Sequence, residues 1–126
     1  MNLYFMLILF ISHYVGDFLL QRRKVAVNKH SDMACLLEHT VIIFIVTLAA
    51  MFMSGREVAA VIAAVLYAIL HGIQDRFIWR SFNKKKIENN WTVEDPEFSN
   101  WFFKYLGLDQ MLHMIILFTL SSILLT

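Results

Sequence analysis

Four stretches, residues 2–20, 33–53, 57–79 and 107–125, are almost wholly apolar, and each is long enough to cross a lipid bilayer. At about 1.5 Å per residue, helices of these lengths run about 28–35 Å, against a hydrocarbon core of about 30 Å. Lipid offers the backbone no hydrogen-bonding partner, so a short apolar segment must satisfy its own amides by forming a helix. The expected fold class is all-α: a four-span transmembrane helical bundle making a single membrane domain over residues 1–126. The connections are residues 21–32, a tight turn at 54–56 and residues 80–106, which hold the only proline, Pro96. Composition agrees with this reading. Hydrophobic residues make up 59% and charged ones 17%, where a soluble domain carries about 45–50% and about 25%. A net charge of +1 sets up no field for polyanions, so nucleic acid is excluded as a partner and the lipid bilayer is the expected one. The lone cysteine, Cys35, excludes a disulfide framework and a cysteine-based zinc knuckle.

The cations set the orientation. Arg22, Arg23, Lys24 and Lys29 follow the first span. Arg76, Arg80, Lys84, Lys85, Lys86 and Lys104 lie at the end of the third span and in the connection after it, and only Arg56 is on the other side. The positive-inside rule puts both long connections in the cytoplasm and both termini outside it, in a multi-pass protein of the inner (cytoplasmic) membrane. Residues 2–20 lack a basic leader and a small-residue cleavage site, so this span is expected to be retained. Within the second connection, Asp95-Pro96-Glu97 reads as a helix start. The aromatic run that follows, residues 97–106, reads as an interfacial anchor or as a lid over a site open to the cytoplasmic leaflet.

Ionisable side chains inside membrane spans are costly, so each needs a reason. Here they are His13 and Asp17, Glu38 and His39, Glu57, His71, Asp75 and Arg76, then Asp109 and His113. All but Glu57 fall in the cytoplasmic half of their span. Counted from the cytoplasmic ends, the four histidines lie about 9–12 Å deep, and Asp17, Asp75 and Asp109 about 3–6 Å deep. His13/Asp17, His71/Asp75 and Asp109/His113 are i,i+4 pairs, so each pair shares one helix face. Gln21 continues the first face, and Gln110 is three residues from His113. On the third span, Ala60, Ala64, Ala68 and Gly72 form a stripe of small residues that lets helices approach closely. The polar pairs therefore point into the bundle.

A layer of imidazoles and carboxylates is the donor set of zinc, manganese or iron(II), and a divalent metal would cancel the charge of three buried aspartates. The metal-ligand candidates are His13, Asp17, His39, His71, Asp75, Asp109 and His113. The plainer alternative is that the pairs act as polar glue between helices. Asp75 or Glu38 is the candidate general base, although Glu38, about 100° from His39 around the helix, also reads as a charge at the headgroup edge. Gln21, Arg22, Arg23, Lys24 and Gln110 are candidates for holding a charged substrate group. The basic runs Arg22-Arg23-Lys24 and Lys84-Lys85-Lys86 read as topology signals at anionic headgroups or as phosphate-recruiting groups, and His30 reads as solvated.

The ordered set His13-x-x-x-Asp17-Phe18-x-x-Gln21, His39, His71-x-x-x-Asp75 and Asp109-Gln110-x-x-His113 resembles an uncharacterised family of small bacterial and phage integral membrane proteins, a domain of unknown function. The resemblance covers nearly the whole chain and implies the same four-helix arrangement, but no activity. A looser likeness is to membrane-bound metal-dependent hydrolases. The expected function is therefore a metal-dependent hydrolase acting on a lipid-linked or phosphate-bearing substrate at the cytoplasmic face. The alternative is a small permease or channel for protons or metal ions, acting as a homo-oligomer if it conducts, or a non-enzymatic interaction protein.

Overall fold

The computed structural model describes all residues from Met1 to Thr126, and every regular element in it is helical. Helix α1, Leu3–Tyr14, is capped by Asn2, whose side chain accepts from the Phe5 amide at 2.9 Å. It runs on into one π-helical turn, Val15–Leu19. A short helix, α2, covers Arg23–Asn28. Asp32 then caps α3, Met33–Met51, by accepting from the amides of Ala34 and Cys35 at 2.8 and 3.4 Å. A 3₁₀ turn, Phe52–Ser54, reverses the chain at Gly55, whose φ of 73° suits a residue without a Cβ. Helix α4 covers Glu57–Glu88, and α5 covers Pro96–Leu124. Asp95 and Pro96 start α5, as their order in the sequence implies.

The helices close a ring in which α1 packs on α3, α3 on α4, α4 on α5 and α5 on α1. Apolar side chains fill the half of the bundle that holds both termini: Leu9, Ile43, Met51, Ala60, Ala64 and Leu117 are buried there. The small-residue stripe does what its spacing implies. Ala60, Ala64 and Ala68 are buried, and a Cβ built on Gly72 would lie 2.7 Å from the Thr40 hydroxyl oxygen, so α3 and α4 nearly touch at this level.

Three helices are long and apolar enough to cross a membrane: Met33–Ser54, Glu57–Glu88 and Pro96–Leu124. The apolar helix Leu3–Leu19 is shorter. Large apolar side chains such as Leu37, Val41, Ile45, Ile62, Ile69 and Ile115 face outward. An apolar surface of this extent marks a membrane-facing protein.

The connections differ from the expectation in one respect. Residues 80–106 do not form a loop, because α4 runs on to Glu88 and α5 begins at Pro96, leaving only the segment between them irregular. Hydropathy falls at Arg80, but the helix-forming residues do not stop there, and Lys84 and Glu88 pair at 3.8 Å along the same face. The two extensions form an antiparallel hairpin held by aromatic packing. Phe82, buried, lies 5.4–5.8 Å between ring centroids from Phe98, Phe102 and Tyr105. The aromatic run thus packs on α4, and Gly107, read as the start of a span, lies inside a continuous helix.

Candidate metal centre

The i,i+4 pairs meet inside the bundle, and four atoms from three helical segments converge. The π turn carries Asp17, α3 carries His39, and α4 carries His71 and Asp75. His39 Nε2 lies 3.0 Å from His71 Nε2, 3.1 Å from Asp17 Oδ1 and 3.0 Å from Asp75 Oδ2. His71 Nε2 lies 3.4 Å from Asp17 Oδ1 and 3.3 Å from Asp75 Oδ2. A tetrahedral ion with ligands at about 2.0–2.1 Å sets its donors about 3.3–3.4 Å apart. Pairwise hydrogen bonding does not explain the arrangement, since an imidazole nitrogen carries at most one proton. Asp17 Oδ1 and Asp75 Oδ2 are buried and accept no well-aligned hydrogen bond, although the Lys29 ammonium lies 2.9 Å from Asp75 Oδ2 and 3.5 Å from His39 Nε2. Two nitrogens and two oxygens aimed at one point form a donor set that fits a divalent metal, and these four residues can hold one.

Asp17 is held in place by a chain of polar contacts. The Tyr67 hydroxyl donates to His13 Nδ1 at 2.9 Å. His13 Nε2 donates to Gln110 Oε1 at 2.8 Å, and Gln110 Nε2 donates to Asp17 Oδ2 at 2.7 Å. This leaves Asp17 Oδ1 free to face the cage. His13, expected as a ligand, has both ring nitrogens engaged in this chain, although His13, His71 and His113 also come close enough to one another to share an ion. Orienting a ligand through its other atoms is a common function of groups around metal sites.

His113 and Asp109 lie beside the cage. The His113 ring stacks on His71 with centroids 3.7 Å apart and planes 14° apart. Its Nε2 lies 3.7 Å from Asp109 Oδ1 and 3.8 Å from Asp75 Oδ1. Gln74 fixes Asp109 by donating to its backbone oxygen at 2.8 Å and to Oδ1 at 3.4 Å.

A cation absent from the expected set enters the cluster. Lys29, read from sequence as a loop cation, is only 4% exposed, and its Nζ lies 2.9 Å from Asp75 Oδ2 and 3.8 Å from Asp17 Oδ1. Burial by itself would lower the affinity of this amine for its proton. Asp75 and Asp17 outweigh that effect, so its pKa lies above the ordinary lysine value. The short helix α2 places Lys29 by burying Val25 one turn earlier.

A cavity of about 430 Å³ leads from the hairpin side to this cluster. Asp17, Asp109 and Gln110 line it at the cluster, the aromatic rings of Trp79, Phe82, Phe98 and Phe102 form a wall, and Lys29 and Lys86 supply cations beside His30. Of the residues expected to hold substrate, Gln21 and Gln110 line this cavity, while Arg22, Arg23 and Lys24 do not. Arg22 instead forms a two-pronged ion pair with Glu38, at 2.8 and 2.5 Å, on an exposed surface. Glu38 is therefore outside the cluster: the 100° step from His39 turns it away from the bundle axis, and Arg22 takes up its charge. His30, read as solvated, lines the cavity.

Sequence reading missed Lys29 and Tyr67, and placed Lys86 only in a basic run read as a topology signal or a phosphate-recruiting group. Tyr67 had a visible signal, since it precedes His71 by four residues on the His71/Asp75 face. Lys29 had none, because only folding brings α2 over the cluster.

Comparison of the chain with curated proteins and with solved structures finds no match. The model of one family matches residues 5–126, nearly the whole chain and all of the converging side chains. The chain therefore belongs to DUF3307, a family described as proteins of unknown function.

Proposed function

We propose that the protein is a metal-dependent hydrolase of the cytoplasmic membrane, with all four long helices crossing the bilayer, α1 included, and both termini outside the cytoplasm. The observation that carries this reading is the convergence of Asp17, His39, His71 and Asp75 on one point. A divalent ion at this centre would supply Lewis acidity toward an oxygen of the substrate. The remaining work falls to the chain's own groups. Gln21, Gln110, Lys29, His30 and Lys86 meet the anionic group of a lipid-linked or phosphate-bearing substrate, and the aromatic wall takes its apolar part. Asp75 acts as a ligand rather than as a base, and Glu38 stays outside the site.

The test is elemental analysis of the detergent-purified protein, followed by hydrolysis assays on phosphate esters of increasing apolar length. A stoichiometric metal that His71→Ala removes, together with metal-dependent turnover, is the expected result. A metal-free protein, or unchanged metal content in His71→Ala, overturns the reading.

A second reading, ion permeation, draws on the charged Lys29–Asp75 pair buried in the bundle. Against it, every buried acid, lysine and histidine belongs to the cluster and none lies in the other half, so a path across would have to run between copies in an oligomer. Flux into liposomes that Asp17→Asn abolishes would favour it.

A further inference from the structure

The cage of Asp17, His39, His71 and Asp75 uses four protein donors. Four-coordinate sites closed in this way are usually structural, whereas catalytic ones keep a position open. If the protein is a hydrolase, as proposed above, the open position has to be found beside the cage.

Asp75 points to it. Its Oδ2 faces the cage and Lys29, but its Oδ1 is buried, has no hydrogen-bond donor and faces His113. His113 Nε2 is also buried without a partner, and stacking on His71 fixes the direction in which it points. Asp109 Oδ1 lies 3.7 Å from it and Asp75 Oδ1 3.8 Å. Lys29 serves the other oxygen of Asp75, so no cation within the protein contacts Oδ1. Asp109 lines the cavity, as Asp17 of the cage does, so the second set also reaches the space open to substrate.

We infer a second divalent cation site, formed by Asp75 Oδ1, Asp109 and His113 and joined to the cage by the Asp75 carboxylate. Two carboxylates and one imidazole suit manganese, iron(II) or zinc. Three aspartates and Lys29 leave two negative charges, which one divalent ion cancels. A second ion turns the centre positive and makes it a receptor for a dianionic phosphate group at the end of the cavity. Paired ions that share a carboxylate are a recurrent solution for phosphoryl chemistry.

This inference rests on the metal reading, but its test separates the two. The full-length protein in detergent is stripped with chelator and titrated with Mn²⁺, with bound metal measured by elemental analysis and spin coupling by electron paramagnetic resonance. The expected result is two ions per chain with a coupled spectrum, and one uncoupled ion in both His113→Ala and Asp109→Asn. The ion retained by those variants shows that the cage is still folded. Inorganic phosphate should tighten the second ion in the unmodified protein and have no effect on either variant. Saturation at one ion, or two ions retained in both variants, overturns the second site and leaves the cage standing. No bound ion at all overturns the metal reading itself.

Discussion

His39 and His71, 32 residues apart in sequence, bring their Nε2 atoms to 3.0 Å of each other inside the bundle. A proton or a cation shared between the two nitrogens lets the imidazoles come this close. The two helices that carry them also approach closely at this level, where Gly72 faces Thr40.

Gly72 is therefore expected to be intolerant of a side chain. Gly72→Val should push α4 off α3 next to His39 and His71, weakening metal binding and lowering the unfolding temperature in detergent. Gly107 provides the control. A Cβ there meets nothing within 4 Å, so Gly107→Ala should keep the metal and gain about 0.5–1 kcal/mol of stability from the stiffer helix.

Tyr67→Phe and Gln110→Ala break the chain that orients Asp17 without removing any donor of the cage. Each should lower metal affinity by about 10–100-fold while leaving one bound ion attainable at saturation. Competition with a chelator of known affinity measures the change, and unaltered affinity in both variants would show that the chain is incidental.

Lys29 neutralises part of the aspartate cluster. Lys29→Met leaves Asp75 and Asp17 without their ammonium partner, which in a buried pair costs about 3–5 kcal/mol. A bound divalent cation should restore much of this. Thermal unfolding with and without chelator is the measurement, and the stabilisation gained on adding metal should be larger in the variant than in the unmodified protein.

Glu38→Gln should leave metal content unchanged, because Glu38 pairs with Arg22 at the surface and contacts no cage residue. Loss of metal in this variant would return Glu38 to the site.

Asp32 gives α3 a pH-dependent cap. The amides of Cys35 and Ala34 hold its carboxyl below the usual value of 3.8. A carboxyl depressed on folding contributes stability above its unfolded pKa and loses it as pH falls through the folded one. The difference in unfolding temperature between the native protein and Asp32→Ala should therefore be full near neutral pH and vanish in acid.

Much of this protein was determined by local pattern. Apolar length dictates helices, since lipid leaves the backbone no alternative. The i,i+4 spacing put His71 with Asp75, and Asp109 with His113, on single faces before any packing was known. Asp95-Pro96 marked the start of α5, and the alanine stripe ending at Gly72 marked the α3–α4 contact. Tertiary structure decided what spacing along one helix cannot encode. It drew four of seven candidate ligands into a cage, tied His13 into a hydrogen-bonded chain, and left His113 and Asp109 beside the cage. It turned Glu38 outward onto Arg22 and brought Lys29 inward from a segment that reads as a solvated loop. The physical reason is the same in each case. Helical periodicity fixes which residues share a face, whereas burial of a charge depends on which groups from other helices arrive to compensate it.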